Sequence, residues 1–129
     1  MNRMRTGLIL FAHGARDPRW AEPFERLRDR VATMAPSQTV VLAFLEHLAP
    51  DLPAAVAEMG REGVDRVRVV PLFFGRGGHL REDFPKQLEK ARAANPSVSF
   101  EVTEAAGENE DVQAALAAFA LTERALAPG

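Results

Sequence analysis

The chain holds three histidines, His13, His47 and His79, and each comes after a run of apolar residues. His13 follows Gly7-Leu8-Ile9-Leu10-Phe11-Ala12, and Glu46-His47 follows Thr39 to Leu45. His79 follows Val67 to Phe74 and a loop containing Gly75, Arg76, Gly77 and Gly78. Imidazole changes charge near neutral pH and ligates transition metals through either ring nitrogen. Two neutral imidazoles and one carboxylate, from His13, His79 and Glu46, make an N/O donor set for a borderline divalent ion such as Co²⁺, Ni²⁺, Fe²⁺ or Zn²⁺. The chain has no cysteine, so thiolate ligands, disulfides and a thiol nucleophile are excluded together. A set without thiolate holds its ion less tightly, which suits delivery better than storage. The loop glycines let the backbone approach a ligand closely. Arg16 and Arg76 lie in the two histidine-bearing loops and offer guanidinium groups to an anion.

Other chemistries fit less well. A strand followed by His-Gly occurs near the oxyanion loop of α/β-hydrolases, but those need Gly-x-Ser-x-Gly, and Ser37, Ser97 and Ser99 have no flanking glycine. Histidine phosphatases carry Arg-His-Gly, whereas Ala12 precedes His13 here. The loop from Gly75 ends in Leu80 where a dinucleotide fingerprint needs glycine, and it lacks Gly-Lys-Ser/Thr.

The elements that must position these residues follow from periodicity. Gly7–Ala12 is a short apolar run of the kind covered on both faces of a parallel sheet. Asp17-Pro18 opens a helix carrying Trp20, Phe24, Leu27, Val31 and Met34 at helical spacing, with Pro23 either near its start or at a kink. Thr39–Leu45 is a second strand. Asp51 and Pro53 start a second helix that buries Leu52, Val56 and Met59 and ends at Gly60 or Gly63. Val64–Phe74 is the third strand and Asp83–Ala94 the core of the third helix, with Leu80, Phe84, Leu88 and Ala91 in register. Val98–Val102 alternates like a fourth strand with one face less buried, and Asn109–Arg124 is a last helix using Val112, Leu116 and Phe119. Four β-α units in succession predict an α/β fold: a four-stranded parallel sheet with right-handed crossovers and helices on both faces. All three histidines and Glu46 then fall at strand carboxyl ends, on one edge of the sheet, where open α/β sheets bind ligands.

Composition sets the outer limits. With 129 residues, 47% hydrophobic and 26% charged, the sequence reads as one globular domain spanning residues 1–129. A net charge of −2 gives no basic field for nucleic acid. The basic and apolar start resembles a signal peptide only faintly, and no run is long enough to cross a membrane, so a cytoplasmic location is expected.

Three motifs in order resemble the small single-domain CbiX-type sirohydrochlorin chelatases. They are Leu10-Phe11-Ala12-His13-Gly14-Ala15-Arg16-Asp17-Pro18, then Ala43-Phe44-Leu45-Glu46 with Pro50, then Pro71-Leu72-Phe73-Phe74-Gly75-Arg76-Gly77-Gly78-His79 with Asp83-Phe84-Pro85. Gly107-Glu108-Asn109 extends the likeness towards the final helix. The resemblance implies one chelatase-like lobe and a lyase that inserts Co²⁺, or Ni²⁺ or Fe²⁺, into sirohydrochlorin on the route to cobalamin or related tetrapyrroles. It implies His13 and His79 as metal-handling histidines and Glu46 as the motif carboxylate. Ala15 replaces the more usual serine without removing a ligand, and His47 has no motif counterpart and is read as a loop residue. Arg16, Arg19, Arg76 and Arg81 flank the histidines and suit the carboxylates of the substrate. No cofactor beyond the substrate metal ion is implied. A homodimer is expected, because larger relatives contain two such lobes. The alternative is a metal or tetrapyrrole carrier using the same pocket.

Overall fold

A computed structural model describes residues 5–75, 77 and 79–123, with only the backbone of residues 79–81. Strand β1 (Thr6–Ala12) lies between β2 (Thr39–Phe44) and β3 (Arg66–Pro71), and β4 (Ser99–Val102) forms the edge beyond β3. All pairs are parallel, with Ala12 opposite Phe44 and Phe11 opposite Pro71. The four-stranded parallel sheet expected from the sequence is the sheet observed.

Both faces of β1 are covered, which is why its sequence shows no polar alternation. Ile9 and Phe11 point into a cluster with Val67, Val69, Ala43 and the buried face of helix α2 (Leu52–Arg61). Phe84 and Ala91 of helix α3 (His79–Ala94) complete that cluster. Leu10 and Ala12 point the other way, with Val40, Leu42 and Phe44, towards Trp20, Phe24 and Val31. Phe24 and Val31 belong to helix α1 (Glu22–Met34).

Local chemistry sets the element boundaries. Asp17 accepts from the Arg19 N–H and caps a 3-10 turn at Pro18–Ala21, from which α1 continues with Pro23 in its first turn. An imide nitrogen does no harm there, because first-turn N–H groups have no intrahelical partner. Pro23 therefore marks a start and not a kink. Asp51 caps α2 by accepting from Ala54 N at 3.0 Å, and Val64 N donates back to Met59 O at 3.0 Å to close its end. That use of Val64 is one reason β3 starts later than expected. It also ends earlier, because Pro71 has no N–H to extend the ladder. Leu72 N makes one more bond to Phe11 O at 2.8 Å before the chain leaves the sheet.

Two expected helix faces are corrected. On α1, Leu27 and Met34 are exposed, and no residue of that helix is fully buried. Helix α4 (Glu110–Ala120), capped by Asn109, also buries no residue, and Phe119 is 76% exposed. Its contacts run mainly to a 3-10 turn at Ala106–Glu108 and not along the sheet, so its apolar stripe of Leu116 and Phe119 has no covering layer among the described residues. No helix of the described residues is long and apolar enough to cross a membrane.

Phe11 is the pin of the larger cluster. Its ring stacks on Phe84 at 5.2 Å and meets Phe73 edge-on at 5.8 Å. Phe11→Ala should cost about 3–5 kcal/mol of folding stability, read from urea unfolding; a loss below about 1 kcal/mol would mean the cluster is not packed this way.

Candidate functional site

The central position of β1 brings the histidine after it between the loops that follow β2 and β3. Parallel pairing continues past the strands themselves: Leu45 N donates to Ala12 O at 2.9 Å and Glu46 N to His13 O at 3.0 Å. This backbone bond sets the two side chains next to each other. His13 Nε2 lies 3.0 Å from Glu46 Oε1. His47 Nε2 lies 3.9 Å from that same oxygen. The side chains of His13, Glu46 and His47 keep 42%, 34% and 35% of their surface exposed, so an ion can reach them from solvent.

His13 and Glu46 present a ring nitrogen and a carboxylate oxygen at the spacing of a hydrogen bond. The same pair of atoms can share a proton or ligate a divalent ion from one side. His47, read from the sequence as a plain loop residue, stands within ion-pair range of Glu46 but beyond hydrogen-bonding distance. Its backbone takes a φ of 68°, in the left-handed region. Among the described residues no three His, Asp or Glu side chains are arranged to enclose an ion.

His79 opens α3, after β3 and its glycine loop, on the same sheet edge as His13. The side chains of His79 and Arg81, and all of Arg76 and Gly78, lie outside the described residues. Arg16 is exposed in the loop after His13. Arg19 is engaged locally: its guanidinium grips Asp17 at 2.9 Å, and these hydrogen bonds hold the Asp17 carboxyl below its ordinary range. Near the strand ends, Phe11, Phe44 and Phe73 are core residues and Phe74 is 70% exposed. The Phe73 ring faces His13 edge-on at 6.4 Å.

Two glycines make the loops fit, and only one was marked by a motif beside a histidine. Gly14 has a φ of 94°, and a Cβ there would stand 1.8 Å from the Glu46 carbonyl oxygen. The His-Gly pair is thus a steric requirement of the site. Gly107 lies far along the chain, yet a Cβ on it would stand 2.0 Å from Phe74 O, and its N–H bonds Phe73 O at 2.9 Å. It braces the start of the glycine loop. One cavity, about 170 Å³ beside β3 and β4, is lined by Arg68, Val70, Thr103, Glu104 and Asn109 and by none of the histidines. Gly14→Ala should lose at least about 1–2 kcal/mol from the left-handed backbone alone, with the collision against Glu46 adding to it; an unchanged urea midpoint would contradict the close passage.

Comparison with known proteins agrees with this architecture. The sequence model of the CbiX family matches residues 7–121. A sirohydrochlorin cobaltochelatase of Methanopyrus kandleri is 35% identical over 81 residues, 63% of this chain and 57% of that protein. One from Sulfurisphaera tokodaii is 30% identical over 86 residues, 67% of this chain and 70% of that protein. One from Methanococcoides burtonii is 28% identical over 66% of this chain and 65% of its own length. The aligned part thus spans between 57% and 70% of these relatives' lengths. A solved CbiX protein assigned to cobalamin biosynthesis in Marinobacter aquaeolei superposes with a TM-score of 0.79 at 32% identity, covering 89% of this chain and 93% of that one. SirB from Bacillus subtilis, solved with Fe³⁺, shares the fold at a TM-score of 0.77 and 20% identity; 89% of this chain covers 46% of it. On the match of residues 7–121, the chain belongs to the CbiX family.

Proposed function

We propose that this protein is a metallochelatase that inserts a divalent metal, Co²⁺ first and Ni²⁺ or Fe²⁺ as alternatives, into sirohydrochlorin. The observation that carries the proposal is the 3.0 Å contact between His13 Nε2 and Glu46 Oε1 on the open carboxyl edge of a CbiX-family sheet. The relatives named sirohydrochlorin cobaltochelatases support the substrate and the metal.

Insertion exchanges two pyrrole N–H protons for one M²⁺, so the site must hold an ion loosely, release it to the macrocycle, and take up or pass on two protons. His13 and Glu46 would hold the ion from one side, with His79 as third ligand, leaving positions open for the macrocycle nitrogens. Once the metal passes to the macrocycle, the freed imidazole and carboxylate would serve as bases for the two pyrrole protons, a role imidazole chemistry suits. Neither a redox group nor a nucleophile is needed. Arg16 and Arg76 would bind substrate carboxylates.

The open site also motivates an assembly proposal. One lobe offers a shallow edge, and SirB, with the same fold, is about twice as long. Phe74, Leu116 and Phe119 leave apolar surface uncovered. We propose a two-fold homodimer. Light scattering at micromolar concentration should give twice the monomer mass, and a fully active monomer would rule it out.

The test of function is a spectrophotometric insertion assay with sirohydrochlorin and Co²⁺, Ni²⁺ or Fe²⁺ supplied separately. His13→Ala, Glu46→Ala and His79→Ala should each lower kcat/KM by about 100-fold or more, with melting temperatures near wild type for His13→Ala. His47→Ala, whose ring is not hydrogen-bonded to Glu46, should keep most of the activity. Arg16→Ala should raise KM for sirohydrochlorin without changing Co²⁺ affinity. Assisted insertion that survives loss of His13 and Glu46 would overturn the reading.

A further inference from the structure

We infer that Gln87, in the middle of α3, is the positioning residue that holds Glu46 against His13. Its side-chain amide spans the loop that carries Glu46. Nε2 donates to Leu45 O at 2.7 Å, on the limb entering the loop. Oε1 accepts from Leu52 N at 3.3 Å, on the limb leaving it. Leu45 is itself buried and directly precedes Glu46. Leu52 opens α2, and its N–H is one of those a helix start leaves without an intrahelical partner; Asp51 serves Ala54 N, and Gln87 serves Leu52 N.

Among the backbone bonds described for this loop, the others are internal or run to the end of β1 and the residue after it. Phe44 N bonds Pro50 O at 2.9 Å, Leu48 N bonds Glu46 O at 2.9 Å, and Glu46 N bonds His13 O at 3.0 Å. Gln87 ties both limbs to a helix on the far side, and that helix begins at His79. It therefore links the segment bearing Glu46 to the element bearing His79. Outer partners of this kind orient ligands, and their loss commonly weakens metal binding without removing a ligand. No motif marks Gln87, since its two partners lie in a loop far from it in sequence.

The inference rests on the reading of His13 and Glu46 as metal-handling groups, and the experiment separates the two. Imidazole ¹⁵N–¹H correlation spectra of the full-length, metal-free protein report the His13–Glu46 contact directly; titration with Co²⁺ reports ion affinity. In Gln87→Met, close in size but unable to hydrogen-bond, the His13 ring resonances should move towards those of Glu46→Ala, and the Co²⁺ Kd should rise about 10-fold. Gln87→Glu, which keeps an acceptor for Leu52 N but has no donor for Leu45 O, should shift in the same direction. Val67→Ala, a core truncation at the amino end of β3 opposite Gly7 and so away from the loop, should lower the melting temperature and leave both readouts at wild type. Wild-type His13 resonances and Co²⁺ Kd in both Gln87 variants would overturn the inference and leave the amide as a helix cap. If the His13 resonances move in Gln87→Met while Glu46→Ala binds Co²⁺ like wild type, the positioning stands and the metal-site reading fails.

Discussion

The site depends on one backbone crossing, where the chain leaving β1 runs beneath the carbonyl of Glu46. The Glu46 N–H bonds the His13 carbonyl, and Gly14 then passes so close that a side chain would collide with Glu46 O. Ordinary parallel strands separate once their ladder ends. Here the last ladder bond, from Leu45 N to Ala12 O, is followed at once by one from Glu46 N to His13 O, and the His13 and Glu46 side chains leave side by side. Their 3.0 Å contact follows from a backbone register, so it needs no deeply buried ion pair to hold it. Both groups stay partly solvated, which avoids the heavy desolvation cost of burying charge. It also keeps the site accessible to an incoming ion.

Support for this crossing comes from several directions. The aromatic cluster of Phe11, Phe73 and Phe84 fixes the floor beneath the edge, joining β1, the segment after β3, and α3. Gly107 and the short turn around it brace Phe73 and Phe74 from the other side, and Gln113 of α4 bonds the Gly107 carbonyl at 2.7 Å. Under the proposed metal insertion, such a floor would hold the ligands in place and leave coordination positions for a large planar substrate. The exposure of the α4 stripe is consistent with the same economy in a small chain. That helix serves the brace through its first turn and leaves Phe119 outside the core.

Departures from sequence expectation have local causes. Helix α1 starts at Glu22 because Asp17 and Pro18 spend themselves on a 3-10 turn, a choice that spacing alone cannot reveal. Strand β3 is shorter than its apolar run because Val64 closes α2 and Phe73 turns into the core from a loop. Apolar periodicity reports which residues avoid water, and a loop residue packed under a sheet edge satisfies it as well as a strand residue does. Leu116 and Phe119 show the converse: their spacing was helical, and the helix is real, but periodicity does not state whether a partner layer is present.

The order and kind of elements were legible in the chain alone, because β-branched runs, caps and prolines act over a few residues. So was the edge on which His13, Glu46 and His79 fall, since successive right-handed β-α units leave every strand's carboxyl end on one side. Which atoms meet there is set by the packing of the loops in three dimensions. The contact of His13 with Glu46, the approach of His47 to the same oxygen, the brace at Gly107 and the bridge from Gln87 all join segments distant in sequence. Each depends on where two loops cross in space, and no local pattern of residues encodes that.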